Sequence, residues 1–165
     1  LQPDDRVLEI GFGSGVDIQR ASNIAAYVSG MEHSAVMVEQ AKRRNRVGIR
    51  TGGVDVRQGS ASDPLPFPDS SFTKVFSINS FQFWPDPRAS LRELHRTLQP
   101  DGIVAMAVQP RGSSVTDEDS RRMGERLREE LFAAGFSDVR LATKPMKPVA
   151  VVSAIGIKCL YAISG

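Results

Sequence analysis

The stretch VLEIGFGSG, residues 7–15, decides the fold that this sequence predicts. Its first half is apolar with β-branched ends, as in a strand buried on both faces of a sheet. Glu9 interrupts the apolar run, which a purely structural strand would avoid because an unpaired buried carboxylate is costly. Three alternating glycines follow, Gly11, Gly13 and Gly15, and they permit positive φ angles and close approach of a ligand. Open α/β sheets build nucleotide sites from a strand, a glycine turn and a helix in this order.

The glycine spacing indicates which nucleotide is bound. A dinucleotide fingerprint, G-x-G-x-x-G, would need its third glycine at position 16, where this chain has Val16. The pattern present, E-x-G-x-G-x-G, resembles motif I of the class I S-adenosylmethionine-dependent methyltransferases. That cofactor carries a sulfonium and an ammonium group but no pyrophosphate. The resemblance therefore implies close backbone approach at the glycines and a carboxylate, Glu9, for the ammonium group.

Composition predicts an ordinary globular protein. The chain has 165 residues, 41% of them hydrophobic and 24% charged, so one domain over residues 1–165 is expected. A net charge of +2 argues against nucleic acid as a partner, and no stretch is apolar enough to span a bilayer. Cys159 is the only cysteine, which is compatible with a reducing cytosol and predicts a cytoplasmic protein. Because residue 1 is Leu1, we expect that an N-terminal lid segment is lacking.

A second polar position follows the next predicted strand. Residues 25–31 are apolar and end at Glu32, 17 positions after Gly15. A carboxylate at this point is placed to accept hydrogen bonds from both hydroxyls of an adenosine ribose. The alternative is a solvated carboxylate near the start of the next helix, predicted from Ser34 to about Arg46 with Ser34 as its N-cap.

The residues after Glu32 resemble the D/E-x-S-x-x-M pattern of the same family. The resemblance places Met37 against the adenine, although simple core packing explains Met37 equally well. His33 is interpreted as a neighbour of the adenosine and not as a catalytic base. The basic residues near the end of this helix are explained by the helix dipole and a solvated face.

Residues 59–72, GSASDPLPFPDSSF, resemble a stretch of small-molecule methyltransferases, particularly those of ubiquinone and menaquinone biosynthesis. In that family an acid holds the adenine amino group, and the next backbone N–H reaches a ring nitrogen. Here Ser60 replaces the acid and Ala61 supplies the N–H. A hydroxyl accepts the same hydrogen bond without charge, so the contact should be weaker. Asp63 is a second candidate acceptor, but it is more simply a turn residue before Pro64.

The segment after the fourth predicted strand, residues 72–79, bears on the acceptor. DNA-adenine and many protein-amide methyltransferases carry [D/N]-P-P-[Y/F/W] there, whereas this chain has Asn79 followed by Ser-Phe-Gln. This difference argues against those acceptors. Phe81, Phe83 and Trp84 supply apolar walls for a flat or lipophilic small molecule, or else pack under the following helix. Thr73 also departs from the family, which usually has aspartate there.

Residues 91–108, LRELHRTLQPDGIVAMAV, resemble the family's E-x-x-R-v-L-k-P-G-G segment and the strand that follows it. A helix is predicted over about 88–98, with His95 exposed, and another over 117–134, ended by Gly135. In this family the last strand, here residues 149–158, runs antiparallel inside the sheet. The resemblance thus implies a Rossmann-like α/β fold: a seven-stranded, mostly parallel sheet with helices on both faces.

We therefore predict a methyltransferase that transfers a methyl group from S-adenosylmethionine to a small-molecule acceptor by in-line displacement. A non-catalytic S-adenosylmethionine-binding protein is the chief alternative, and a nicotinamide-dependent oxidoreductase is a third. No residue pattern has metal-ligand spacing, and no general base is assigned. The expected cofactor-binding residues are Glu9, Gly11, Phe12, Gly13, Gly15, Glu32, His33, Met37, Ser60, Ala61 and Asn79.

Overall fold

The structure, a computed structural model, describes residues 1–159 and contains a seven-stranded sheet flanked by helices. The strands are β1 (Arg6–Ile10), β2 (Tyr27–Glu32), β3 (Val54–Gln58), β4 (Phe72–Ile78), β5 (Leu98–Val108), β6 (Ser137–Lys144) and β7 (Val151–Ile157). The helices are α1 (Val16–Ser22), α2 (Ala35–Arg44), α3 (Arg46–Arg50), α4 (Pro87–Thr97) and α5 (Asp117–Ala133), and a 3-10 turn spans Phe81–Phe83.

The strand order is β3-β2-β1-β4-β5-β7-β6. Strands β1 to β5 pair in parallel, whereas β7 lies between β5 and β6 and is antiparallel to both. This arrangement confirms the predicted Rossmann-like sheet and the antiparallel last strand. Because β1 is central and the order reverses beside it, the carboxyl ends of β1 and β4 border a crevice where such sheets bind ligands.

Burial on both faces explains why β1 is a strand. Val7, Leu8 and Ile10 are each at most 2% exposed. Val7 belongs to the core beneath α1 and α2, together with Ile18 and Val38. Leu8 and Ile10 belong to the core on the opposite face of the sheet, which α4 and α5 cover. The near-continuous apolar run of β1 therefore serves two cores at once.

The glycine turn and Asn45 determine where α1 begins and where α2 ends. Helix α1 begins at Val16, because Gly15 has a φ of 74° and ends the glycine turn in the left-handed region. The helix predicted over 34–46 is interrupted at Asn45, which separates α2 from α3. The buried Asn45 amide donates to the carbonyl oxygens of Ala41 and Gly15, both at 3.0 Å. The end of α2 is thereby joined to the glycine turn.

Two local predictions are confirmed, one for the start of α2 and one for the end of α5. Ser34 is the N-cap of α2, and its hydroxyl accepts from the Met37 N–H. Gly135, with a φ of 99°, follows the last residues of α5 as predicted. Within residues 1–159, no helix is both long and apolar enough to cross a bilayer.

The prediction that His95 is exposed is wrong. The imidazole is half-buried, and its ring meets the edge of Phe136 with ring centres 5.0 Å apart. Burial lowers the pKa of His95 below the ordinary histidine value. The charged neighbours in sequence did not reveal this contact because Phe136 comes from the turn after α5, about 40 residues away.

Thr73 has a structural role at the start of β4. Its hydroxyl donates to Asp5 at 2.7 Å, and the Lys74 ammonium lies 3.1 Å from the same carboxylate. Burial alone would raise the pKa of Asp5, but hydrogen bonds from Thr73, the Gln2 N–H and Lys74 hold it below its usual value. The residue that replaces the family's usual aspartate thus joins β4 to the segment before β1.

Candidate functional site

A cavity of about 800 Å³ lies at the carboxyl ends of β1, β2 and β4. Nine of the eleven expected cofactor-binding residues line it: Glu9, Gly11, Phe12, Gly13, Glu32, His33, Ser60, Ala61 and Asn79. Gly15 and Met37 do not. These nine residues come from four separate segments of the sequence, which therefore meet at one place in the fold.

The glycine turn forms the floor of this cavity. The Gly11 N–H donates to the Met31 carbonyl at 2.8 Å, which joins the end of β1 to β2. A Cβ on Gly11 would lie 2.2 Å from the Ser80 hydroxyl oxygen, so only glycine fits there. A Cβ on Gly13, where φ is 52°, would meet no atom within 4 Å. Gly13 is therefore the point at which the backbone is open to a ligand.

Gly15 allows two helices to pack closely. A Cβ there would lie 2.7 Å from the Ala41 Cβ on α2, and the φ of 74° also favours glycine. Its carbonyl accepts the Asn45 hydrogen bond described above. Met37 is half-buried on the first turns of α2. Both residues are therefore close in sequence to residues that line the cavity, but neither of them lines it.

Glu32 holds the glycine turn as well as facing the cavity. One carboxylate oxygen, Oε2, accepts from the Gly13 N–H at 3.1 Å. The other, Oε1, accepts from the Ser34 N–H at 2.9 Å and lies 2.9 Å from His33 Nδ1. Glu32 is 6% exposed, whereas the His33 side chain is 82% exposed. The tip of β2 is therefore fastened to the turn after β1 through one carboxylate.

Glu9 is buried, and one of its carboxylate oxygens lacks a hydrogen-bond partner among the described residues. The residue is 2% exposed, and the oxygen without a partner among them is Oε2. Burial, together with the nearby carboxylates of Asp17 and Glu32, raises the pKa of Glu9 to about 8. An incoming cation that donates hydrogen bonds would satisfy this oxygen and lower the pKa. The ammonium group of S-adenosylmethionine is such a cation.

The loop that carries Ser60 and Ala61 is anchored to α4. The Ser60 hydroxyl oxygen accepts from the Ser62 N–H at 3.1 Å, and both Ser60 and Ala61 line the cavity. Further along, Arg96 donates to the carbonyl oxygens of Leu65 and Phe67 at 3.1 and 2.9 Å. The guanidinium of Arg96 thus fixes the far side of the loop against the helix.

Asn79 occupies a strained position where β4 ends. Its φ of 55° is uncommon for a residue other than glycine, and strained residues of this kind cluster at functional sites. Its side-chain Oδ1 accepts from the Gln109 N–H at 2.7 Å, so the end of β4 is fixed to the end of β5.

The aromatic residues after Asn79 divide between the two roles considered above. Phe81 is 1% exposed and belongs to the core, and its ring lies 5.6 Å from that of Trp84. Trp84 is also buried, donates from Nε1 to the Ser80 hydroxyl at 2.9 Å and lines the cavity. Phe83 is 74% exposed and lines the cavity. Packing therefore accounts for Phe81, whereas Phe83 and Trp84 form an apolar wall.

Sequence reasoning missed four polar residues that line the cavity: Asp17, Ser62, Ser80 and Arg111. Asp17 lies in the first turn of α1, and its position directly after the glycine turn could have identified it as a cavity residue. Ser80 was visible only as part of the segment after β4. Arg111 belongs to a polar loop after β5, and the position of this loop at the carboxyl end of a parallel strand was the available signal.

The fold and the site together define a class I S-adenosylmethionine-dependent methyltransferase. A family model described as a methyltransferase domain matches residues 8–106, which include the glycine turn, Glu32 and strand β4. The chain belongs to this family, and its cofactor is S-adenosylmethionine. The resemblance to motif I is thereby confirmed.

Individual relatives agree with this assignment. The uncharacterized methyltransferase YdaC of Bacillus subtilis (strain 168) is 31% identical over 156 residues, which cover 93% of this chain and 83% of that protein. The chloroplastic 2-methyl-6-phytyl-1,4-hydroquinone methyltransferase 1 of Oryza sativa subsp. japonica is 28% identical over 105 residues, which cover 61% of this chain and 30% of that enzyme. A solved SAM-dependent methyltransferase from Methanosarcina mazei has the same fold, with a TM-score of 0.76 and 20% identity over 98% of this chain and 95% of that one.

Proposed function

We propose that this methyltransferase methylates a small, flat or lipophilic molecule, with the cofactor held by Glu9, the glycine turn and Glu32. One observation carries the proposal. A carboxylate oxygen of Glu9 is buried without a hydrogen-bond partner among the described residues, and Glu9 lines the cavity together with Gly11 and Gly13. A buried polar atom of this kind calls for a partner that the described residues do not supply. An ammonium group would supply it.

The described residues fit S-adenosylmethionine in their donor and acceptor chemistry. When bound, this cofactor supplies an activated methyl group, so the protein has to bind, orient and exclude water. Glu9 would give up its proton and pair with the ammonium group. Gly13 offers an N–H and an unobstructed backbone surface.

Glu32 retains capacity for ribose hydroxyls. Its Oε2 accepts one hydrogen bond, from Gly13, and a carboxylate oxygen can accept about two. The contacts from Gly13 and Ser34 also hold the carboxylate at a fixed place before any ligand arrives. The sequence also allowed Glu32 to be a carboxylate near the start of the next helix. That interpretation is compatible with ribose binding, since Oε1 accepts from Ser34 at the start of α2 while Oε2 accepts from Gly13 in the glycine turn.

Ser60 and Ala61 are the proposed adenine contacts. Both line the cavity on the side of β3, beyond Glu32, and the hydroxyl of Ser60 already accepts one hydrogen bond from Ser62. We infer a weaker adenine contact than an aspartate would give, because the hydroxyl carries no charge.

The acceptor would lie at the other end of the cavity, near Phe83 and Trp84. An exposed aromatic ring beside a buried one favours a flat or lipophilic acceptor. The chain lacks the Pro-Pro-aromatic segment that clamps planar amines, so we infer that DNA bases are not the acceptor. His33 is held by Glu32, and we assign no general base. We further propose that the protein acts in the cytoplasm.

Two measurements test the proposed function. Calorimetry should show binding of S-adenosylmethionine and S-adenosylhomocysteine and much weaker binding of NAD. Equal or tighter NAD binding would contradict the cofactor site. Incubation of the protein with a metabolite extract and methyl-labelled cofactor, followed by mass spectrometry, should then reveal a labelled small molecule. Cofactor binding without any transfer would favour the non-catalytic alternative.

A further inference from the structure

Arg111 is the only lysine or arginine that lines the cavity in the described part of the chain. It follows β5 and makes no hydrogen bond or ion pair with any of residues 1–159. Most arginines of this chain, by contrast, are engaged: Arg96 alone reaches Glu93, Asp69 and two backbone carbonyls. An arginine that lines a cavity without a partner offers five donors in a planar fork to a ligand.

The charges along the cavity are separated. Glu9, Asp17 and Glu32 line it on the side of β1 and β2, whereas Arg111 follows β5. Strand β4 lies between β1 and β5, so about 10 Å separates those two strands at a spacing of about 4.8 Å. The acidic side is complementary to the cationic groups of the cofactor. The basic side would repel those groups and attract an anion.

Aromatic residues line the same cavity as Arg111. Phe83 is 74% exposed, and Trp84 is held in place by its hydrogen bond to Ser80. Asn79 also lines the cavity, and its Oδ1 accepts from the Gln109 N–H, which leaves the Nδ2 donor of Asn79 for another group. The acceptor side therefore combines an aromatic surface with two donors, and within residues 1–159 no carboxylate after β4 or β5 lines the cavity.

We propose that the methyl acceptor is a ring-bearing molecule with an anionic oxygen, a carboxylate or an ionised hydroxyl, and that Arg111 binds that oxygen while the ring lies against Phe83. This inference rests on the proposed function, since it assigns the substrate class of the same cavity. Arg111 thereby selects anionic over neutral and cationic acceptors.

Two molecules of equal shape test the selection for charge. 2-Naphthoate and 2-naphthamide differ in the charge of one substituent, and both are titrated into the protein with and without S-adenosylhomocysteine. The wild type should bind naphthoate about tenfold more tightly, as expected for one charge-assisted contact. Arg111→Leu should abolish this preference, and Arg111→Lys should keep part of it. Arg50→Leu, at an exposed arginine that ends α3, should leave the preference unchanged.

Further titrations distinguish the contribution of the ring from that of the charge. They also distinguish a carboxylate from an ionised hydroxyl as the anionic oxygen. Phe83→Ala should weaken naphthoate and naphthamide equally. 2-Naphthol, titrated below and above the pH at which its hydroxyl ionises, shows whether an ionised hydroxyl binds as the carboxylate does. If 2-naphthol binds more tightly when ionised, and Arg111→Leu loses this gain, the anionic oxygen of the acceptor is an ionised hydroxyl. If the affinity for 2-naphthol does not change on ionisation, the anionic oxygen is a carboxylate.

Equal binding of naphthoate and naphthamide by the wild type would overturn the inference, and so would a preference that survives in Arg111→Leu. A large loss of S-adenosylhomocysteine affinity in Arg111→Leu, with naphthoate preference intact, would place Arg111 on the cofactor carboxylate instead. Failure of the wild type to bind S-adenosylhomocysteine would contradict the proposed function alone. The titrations without that ligand would still decide the role of Arg111.

Discussion

Replacing Glu9 by glutamine should make the unliganded protein more stable at high pH. The side chain is 2% exposed, and one oxygen has no partner among residues 1–159. Burial, together with the carboxylates of Asp17 and Glu32, raises its pKa from 4.5 to about 8. Because the folded pKa lies above the unfolded one, the protonated carboxyl supports the fold fully below pH 4.5. This contribution is lost as pH rises through 8. Glutamine has nearly the same shape and does not ionise.

The magnitude follows from the pKa difference. Each pKa unit corresponds to about 1.4 kcal/mol, so complete ionisation of Glu9 costs folding on the order of 5 kcal/mol. At pH 5 only about 1 kcal/mol of this cost is present, because pH 5 lies only half a unit above the unfolded pKa of 4.5. The free energy of unfolding of Glu9→Gln, relative to wild type, should therefore rise by about 4 kcal/mol between pH 5 and pH 9. The burial cost of the glutamine amide is the same at both pH values and cancels.

Urea denaturation of both proteins at pH 5, 7 and 9 measures this difference. Glu129→Gln, at an exposed glutamate of α5, is the matched control and should follow the wild type at every pH. A difference between Glu9→Gln and wild type that changes by less than about 1 kcal/mol over this range would refute the argument. It would mean that Glu9 is solvated or has a partner in the folded protein.

The substitution Glu9→Gln should also weaken binding of the cofactor. Wild-type affinity for S-adenosylhomocysteine should rise with pH up to about 8, since the ammonium group pairs with the ionised form of Glu9. Glu9→Gln should bind more weakly and lack this rise. Calorimetry in buffers of different ionisation enthalpy should also show proton release on binding at pH 7. Binding by the wild type with no proton release would separate Glu9 from the ammonium group.

Three further substitutions test the remaining cofactor contacts. Gly13→Ala should reduce S-adenosylhomocysteine affinity at least tenfold in calorimetry, whereas Gly52→Ala, at a left-handed glycine with equally open surroundings in a surface turn, should leave it unchanged. Both should lose a similar stability of about 1 kcal/mol, and equal affinities would show that the ligand does not approach Gly13. Glu32→Gln should lower affinity by roughly 10- to 100-fold, because charged hydrogen bonds become neutral ones. An effect below about threefold would leave Glu32 as the anchor of the glycine turn only. Ser60→Asp should tighten binding by supplying a charged acceptor for the adenine amino group, and unchanged or weaker binding would point to Asp63 instead.

Most of the residues proposed to hold the cofactor could be placed at one cavity from the sequence, because they are tied to local patterns. The alternation of glycines after an apolar strand requires positive φ angles, which Gly11, Gly13 and Gly15 all have. Glu32 follows directly from the end of the next strand. The sequence could not show that Glu32 also accepts from the Gly13 N–H, since that contact joins residues 19 positions apart.

Two expected cofactor residues, Gly15 and Met37, do not line the cavity. Gly15 is needed because the start of α1 and α2 approach closely at Ala41, a contact between separate elements that the sequence pattern does not contain. Met37 lies in the first turn of α2 and is half-buried. In both cases the chain has the residue type that the pattern expects, and for Gly15 the structure adds a packing role.

The sequence alone determined the class of fold, through its resemblance to a known family. It also determined the glycine turn and the carboxylates Glu9 in β1 and Glu32 at the end of β2, because these depend on apolar strands and local backbone geometry. The tertiary structure alone decided which residues from distant segments share the cavity. Arg111 comes from the loop after β5 and Phe83 from the turn after β4, and only the parallel pairing of these two strands brings them to the same edge. The missing partner of Glu9 is likewise a tertiary property, since it depends on what every other buried group has already bonded.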